Sequence, residues 1–392
     1  MTQFSAFRLL ADGHPKRILA LDGGGVRGII SIAFLERIEA TIQRQLGLGD
    51  EFVLADYFDL IGGTSVGSIL ATMLALGMRV SEVERLFREW APQIFRRRFL
   101  GRGILRPLIA AGRLGARIEE VVGNEMLGSH KLRTGLGIIA KRADTGSVWV
   151  LINNERNRYW HPERKSNGTV RRGISEYLLR DLIRASTAAP RYFSPKRISV
   201  FKGVSDGLFV DGAVSPHNNP ALQLLLAAHI EGYGLRWPLG ASKLLLISVG
   251  TGSFAHGVRP RWLAGHHAID SLMGVIGDGQ DLVLTMLQWM SRSREPWVVD
   301  RAIGSVAAQT LGLDQGLAEP LLSFARYDVR LEKDWLETNL NRRFSDRRLE
   351  QVRDFTSCMD IETLHQLGSA AARRQVEAVD FPREFVPVPR TT

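Results

Sequence analysis

Five residues, Gly63-Thr64-Ser65-Val66-Gly67, carry the pattern Gly-x-Ser-x-Gly. A serine at a sharp strand-to-helix turn has an exposed hydroxyl and the positive end of a helix beneath it, which is what an acyl-transfer nucleophile needs. Gly63 and Gly67 leave room for so tight a turn. The neighbouring residues suit it. Tyr57-Phe58-Asp59-Leu60-Ile61 reads as a short buried strand ending in Gly62-Gly63. Residues 67–76 are rich in helix formers and close at Gly77, a C-cap. Alone, the pentapeptide fits a glycine-rich turn with an incidental serine equally well.

A second loop lies upstream. The apolar strand Arg17–Leu21 runs into Asp22-Gly23-Gly24-Gly25-Val26-Arg27-Gly28, and then Ile29, Ile30, Phe34, Leu35, Ile38 and Ile42 recur at helical spacing as far as Gln45. Gly23-x-Gly25-x-x-Gly28 matches the dinucleotide fingerprint in letters only. Asp50 and Glu51 fall in the loop after the helix, not at the end of a second strand. No Gly-Lys-Ser/Thr follows, so a P-loop fails. The favoured reading is an oxyanion hole: successive glycines let backbone N–H groups converge on one point, and the next helix adds its positive end. A third element, the strand Leu208-Phe209-Val210, ends in Asp211-Gly212-Ala213. An aspartate at the C-terminal end of a parallel strand lies on the active edge of an open α/β sheet, and Gly212 lets the carboxylate approach another group. The ordinary alternative is a turn aspartate capping its own backbone.

The elements that must position these groups follow from the rest of the chain. Its 392 residues, 45% apolar and 23% charged, suffice for one large α/β domain. Residues 1–16 read as a poorly structured lead-in. Ser81-Glu82-Val83-Glu84 has the form of a capping box opening a helix to about Gln93. Residues 135–142 and 147–153 read as a hairpin around Asp144-Thr145-Gly146. Residues 154–173 read as a loop, and Ser175 as the cap of a helix that ends in the small-residue run Ala185-Ser186-Thr187-Ala188-Ala189-Pro190. A helix follows from Ala221, then a strand from Lys243 to Val249, and residues 260–392 are mostly helical by pattern.

The net charge of +10 favours anionic partners. Arg96, Arg97, Arg98, Arg102, Arg106, Arg113 and Arg117 alternate with Phe95, Phe99, Leu100, Ile104, Leu105, Leu108 and Ile109. This stretch reads as a seat on an anionic membrane surface, narrowly ahead of a plain solvated basic face. No nucleic-acid-binding signature accompanies the basic residues. One cysteine, Cys358, allows no internal disulfide and no cysteine metal cluster. With no signal peptide in the first 17 residues and no apolar run long enough to span a bilayer, a cytoplasmic protein, peripheral at the inner membrane face, is expected.

Five motifs in order make the chain resemble the patatin-like phospholipase family: Asp22–Gly28, Gly63–Gly67, Arg184–Pro190 with Tyr192-Phe193, Asp211–Ala213 and Leu246–Gly252. The resemblance covers roughly residues 17–252. It implies a three-layer α/β/α sandwich with a mostly parallel central sheet, extended by a mainly helical region over 253–392. It also implies serine acyl hydrolysis by a dyad without histidine, with no metal or organic cofactor. Carried over by position, Ser65 is the nucleophile and Asp211 the base. Gly23, Gly24 and Gly25 line the oxyanion hole, and Arg27, Gly63, Gly67 and Gly212 support the site, Arg27 holding the loop or a headgroup. The substrate is phospholipid or a related acyl ester, cleaved as a carboxylic ester. Because aspartate is a weak base at neutral pH, the site is expected to desolvate Asp211 and raise its pKa. A Ser-Asp-His triad is the rival mechanism, with His217, His256, His266 or His267 as the third member. The rival role, by resemblance to bacterial effectors of antiviral nucleotide signalling, is a ligand-activated, membrane-targeting effector built on the same core.

Overall fold

The computed structural model describes residues 9–10, 13–95, 111–203, 206–255, 264–294, 297 and 317–387. Its centre is a sheet whose inner strands β1, β2 and β10 are buried at every position and mostly apolar, as strands covered on both faces must be. β1 (Lys16–Leu21) is buried throughout. Its side chains alternate between two cores: Leu19 and Leu21 enter one, Ile18 and Ala20 the other. The period of two thus splits one strand between two helical layers. β1 leads through the glycine loop into α1 (Gly28–Leu46), β2 (Leu60–Thr64) and α2 (Val66–Ala75). α3 (Val80–Ile94) and α4 (Ala111–Val122) follow.

Next come β3 (Gly135–Arg142) and β4 (Val148–Ile152), an antiparallel hairpin as the sequence indicates. β5 (Glu163–Arg164), β6 (Val170–Arg171), α5 (Leu179–Ser186), β7 (Lys196–Ser199), β8 (Phe201–Lys202) and β9 (Asp206–Asp211) precede α6 (Ala221–His229) and β10 (Leu244–Val249). The chain continues with α7 (Ala264–Met290), β11 (Ser291–Arg292), β12 (Leu322–Tyr327), α8 (Lys333–Leu340), α9 (Asp346–Arg353) and α10 (Ile361–Gln375). The main sheet has nine strands, in the order β11-β12-β10-β1-β2-β3-β9-β7 with β4 also on β3. From β11 to β3 every pairing is parallel. This is the three-layer α/β/α arrangement with a mostly parallel sheet, and the region after residue 252 is mainly helical.

Several local expectations are corrected. Leu54–Tyr57 is a helical turn, and the strand starts at Leu60 and keeps both glycines, because Gly62 and Gly63 stay in register with Gly137 and Ile138. Ser81 caps nothing: the helix begins one residue earlier, flanked by Arg79. Ser175 spends its hydroxyl on the Trp160 carbonyl at 2.8 Å, and Leu178 flanks α5. The 154–173 loop contains β5 and β6, which join β8 in a small separate sheet. Within the lead-in, Leu9 is buried and its carbonyl accepts the Trp237 indole N–H at 2.9 Å, while Lys16 already belongs to β1. The mostly helical reading of 260–392 missed β12, which extends the central sheet beside β10. Most of the arginine-rich stretch lies outside the described residues. Of its members inside, Arg117 pairs with Glu120 at 2.7 Å and with Gln93 at 2.6 Å. No helix among the described residues is long and apolar enough to cross a membrane.

Candidate active site

Strand pairing brings the site together. Thr64, the last residue of β2, is level with Ile139 on β3, and Asp211, the last residue of β9, is level with the next residue, Ala140. Ala140 and Lys141 also pair with β4, so β4 holds the opposite edge of β3. β2 and β9 therefore share one edge and meet end to end. β9 runs antiparallel to β3, not parallel as the sequence reading has it. That reversal is what points two strand C-termini at each other, and Ser65 and Asp211 occupy the junction. The Ser65 hydroxyl donates to Asp211 Oδ2 at 2.7 Å.

Ser65 holds φ 53° and ψ −124°, a conformation that a side chain rarely adopts and that fixed surroundings must sustain. Gly67 is needed because a Cβ there would overlap the Leu21 carbonyl oxygen, and one on Gly63 would overlap the Gly67 backbone. Ser186 fills the break in the ladder. Its hydroxyl accepts the Ser65 N–H at 2.9 Å and donates to the Ile139 carbonyl at 2.6 Å. Two residues on, the Ala188 carbonyl accepts the Asp211 N–H at 3.1 Å. The small-residue end of α5 thus grips both halves of the pair.

Asp211 is 2% exposed. Its other oxygen accepts the Ala213 N–H at 2.8 Å, through a turn at Gly212, where a Cβ would crowd Ile139 O. Burial raises its pKa to about 7, against smaller opposing effects of the Ala213 N–H, the Ser65 hydroxyl and Arg184. No histidine lines the cavity among the described residues. His217 gives its backbone carbonyl to the Thr64 hydroxyl at 2.7 Å, and its Nδ1 is buried without a partner. The side chains of His256, His266 and His267 lie outside the described set.

The glycine loop stands against Ser65: a Cβ on Gly23 would lie 3.2 Å from the Ser65 Cβ. The three glycines are not equivalent. The Gly23 N–H is committed to the Asn218 carbonyl at 3.1 Å, and the Gly23 carbonyl accepts the Thr251 hydroxyl at 2.8 Å. Among the described residues, the Gly24 and Gly25 N–H groups have no acceptor. Gly25 takes φ 58°, and a Cβ there would overlap the Phe355 carbonyl oxygen. Arg27 is 7% exposed and lies over Phe254 at 5.3 Å. Its Nε and Nη1 are buried without partners among the described residues, and burial lowers its pKa to about 10, so it stays charged at neutral pH.

Ser65, Asp211, the three loop glycines and Arg27 border a cavity of about 470 Å3. Phe87, Trp90 and Ile94 of α3 form one apolar wall, and Leu272, Ile276 and Leu284 of α7 another. Its shape and lining suit a long acyl chain with one polar end.

The sequence profile of the family described as patatin-like phospholipase matches residues 19–225, a span holding Ser65, Asp211 and the glycine loop. The chain belongs to the patatin-like phospholipase family. It is 32% identical over 285 residues to the cGAMP-activated phospholipase of Vibrio cholerae, spanning 69% of this chain and 73% of that one. A cGAMP-activated phospholipase of Escherichia coli is 32% identical over 53% of this chain and 55% of its own. Patatin-17 of Solanum cardiophyllum is 29% identical over 62% of this chain and 61% of its own. Membership supports lipid acyl hydrolase activity.

Sequence reasoning missed the individual parts played by Ser186, Asn218 and Thr251 around this patatin-type site. Ser186 left a signal as one of two hydroxyls in a run of small residues, and Thr251 as part of the Leu246–Gly252 motif. Away from the site, Glu36, Glu84 and His365 bring three ligand-type atoms within 4.8 Å of one another. There the imidazole already bonds Glu36 at 3.2 Å, and Glu84 bonds Arg88 at 2.7 Å.

Proposed function

We propose that the protein is a serine acyl hydrolase that releases fatty acid from phospholipid or a related acyl ester, with Ser65 as nucleophile and Asp211 as base. The observation that carries this reading is the 2.7 Å hydrogen bond from the Ser65 hydroxyl to a buried carboxylate, beside two backbone N–H groups that have no acceptor among the described residues. Asp211 takes the Ser65 proton as Oγ attacks the ester carbonyl. The tetrahedral oxyanion is received by the N–H groups of Gly24 and Gly25, each worth on the order of 3 kcal/mol. Gly23 supports the loop and is not a donor, since its N–H is engaged. Collapse expels the alcohol, protonated from Asp211, and leaves an acyl-enzyme. Asp211 then activates water to release the fatty acid. No metal or organic cofactor enters these steps.

Arg27 gives the phospholipid reading its headgroup contact: a charged guanidinium with unpartnered donors in the cavity wall suits a phosphate diester. We assign the hydrolase unit to residues 17–252, a span that the match over residues 19–225 supports. The net charge of +10 suits a peripheral seat on an anionic membrane, on the cytoplasmic side. The test is fatty-acid release from mixed phospholipid vesicles by wild type, Ser65→Ala and Asp211→Asn. An active wild type with both variants folded and inactive upholds the dyad. An active Asp211→Asn overturns it.

A second reading, activation by a ligand in a bacterial defence or signalling system, is supported by the relative named as cGAMP-activated. Assaying the purified protein with and without cGAMP decides it: full activity without the nucleotide removes this reading.

A further inference from the structure

We infer that Arg326, on β12, is a positioning residue for the glycine loop, and that the chain beyond residue 252 thereby completes the active site. The inference rests on the acyl-hydrolase reading above. Arg326 is level with Ser248 on β10, which is level with Ala20 on β1. From two strands away its side chain reaches past Ser248, donating to that hydroxyl at 2.7 Å, and forks onto Asp22. Nη1 donates to Asp22 Oδ1 at 3.0 Å and Nη2 to Oδ2 at 2.7 Å. Nη2 also donates to Asp328 Oδ2 at 2.8 Å. The three side chains are all but fully buried. Asp328 in turn accepts the Gly252 N–H at 2.8 Å, which orders the turn that supplies Thr251 to the Gly23 carbonyl.

Asp22 immediately precedes the three glycines, so its carboxylate sets where the loop leaves β1. The loop is held again at Gly23 by Asn218 and Thr251, and at Val26, whose N–H donates to the Phe355 carbonyl at 2.8 Å. Gln280 of α7 adds a bond to Asp22 at 3.2 Å. The residues on either side of Gly24 and Gly25 are pinned, while the two N–H groups have no acceptor among the described residues and both glycines line the cavity. Three of the pins, Arg326, Gln280 and Phe355, come from the region after residue 252. A buried carboxylate needs a charge partner to stay ionised, and a planar fork fixes its orientation as a point charge cannot. Arg326 acts on the reaction only through the loop it aims.

The test compares wild type with Arg326→Lys, Arg326→Met and Asp22→Asn. Asp22→Asn is nearly isosteric and removes a buried charge, so it keeps the fold where the arginine variants lose it. The readouts are kcat and KM on a soluble medium-chain p-nitrophenyl ester, the rate of fluorophosphonate labelling at Ser65, and the thermal transition. Because a donor displaced by about 1 Å costs on the order of 100-fold, Arg326→Met lowers kcat about 100-fold, with KM within about twofold. Arg326→Lys, which restores the charge without the fork, and Asp22→Asn lower it about 10-fold. Labelling slows in parallel in protein that is still folded at assay temperature. A folded Asp22→Asn or Arg326→Lys with wild-type kcat and labelling overturns the inference. So does a loss of activity that only follows the loss of folded protein. Ser65→Ala separates the two levels: if it still turns over ester, the acyl-hydrolase reading itself falls. If it is inactive while Asp22→Asn is normal, only the role of Arg326 falls.

Discussion

Asp211 and Asp22 flank the same glycine loop and are equally buried, at 2% and 1% exposed, but they face different partners. Asp22 receives both arms of a guanidinium, and Asp211 receives a hydroxyl and one backbone N–H. Burial raises both, Asp22 to about 6 against the opposing pull of Arg326 and Asp211 to about 7 with only a weaker contribution from Arg184. A forked ion pair spends the carboxylate on holding a shape. A buried carboxylate given only neutral donors, a hydroxyl and one backbone N–H, keeps more of its affinity for a proton. The region before residue 252 thus carries the carboxylate that holds Ser65, and the region after it supplies the guanidinium that holds Asp22.

The comparison breaks first at Ser65, the proposed nucleophile. Ser65→Ala is expected to lower fatty-acid release at least about 10⁴-fold, since members of a nucleophile–base unit fail together. Asp211→Asn should follow, losing about 10³-fold or more in vesicle hydrolysis while gaining stability at pH 8. The sign follows from the raised pKa. Stability linked to Asp211 is fully present below its unfolded value of 3.8 and is lost as pH rises through about 7. An amide escapes that loss, which is on the order of 4 kcal/mol at most. Thermal melts at pH 4 and pH 8 check it: the variant should exceed wild type at pH 8 and match it at pH 4.

Smaller effects sharpen the contrast. The wild-type rate should fall about 50-fold from pH 7 to pH 5, approaching tenfold per unit once Asp211 is mostly protonated, in kcat/KM measured with a soluble ester. Ser186→Ala leaves the Ser65 N–H and the Ile139 carbonyl without their partner, at a cost of about 1–3 kcal/mol each. About a tenfold loss in kcat is expected from the loosened turn, read in the same assay. His217→Ala should change kcat less than about threefold, because Thr64 bonds its backbone carbonyl, which alanine keeps. A loss of several orders of magnitude there would restore the triad.

The parts that were legible in the sequence are those written in local pattern. Gly63–Gly67 and Asp22–Gly28 announce tight turns through glycine, and the apolar runs at 17–21 and 243–249 announce buried strands. Asp211 was legible as an aspartate at a strand end beside Gly212, although its strand runs opposite to the direction read for it. The three loop glycines are read alike as lining the oxyanion hole, because a sequence shows three glycines and not that the Gly23 N–H is bonded to the distant Asn218 carbonyl. Ser81 and Ser175 looked like caps, and each lost that role to a helix start set by packing around it. β12 was hidden among helices because its strand character comes from pairing with β10.

By itself, the sequence determined which residue types sit at sharp turns and strand ends: Ser65, the glycines around it, Asp211 and the loop before α1. These depend on steric rules acting over a few residues. The tertiary structure decided which of them touch. Ser65 meets Asp211 only because β2 and β9 divide one edge of β3, 146 positions apart in the chain. Asp22 meets Arg326, 304 positions on, only because β12 lies two strands from β1. Such pairings are set by strand order and burial, which no local window contains.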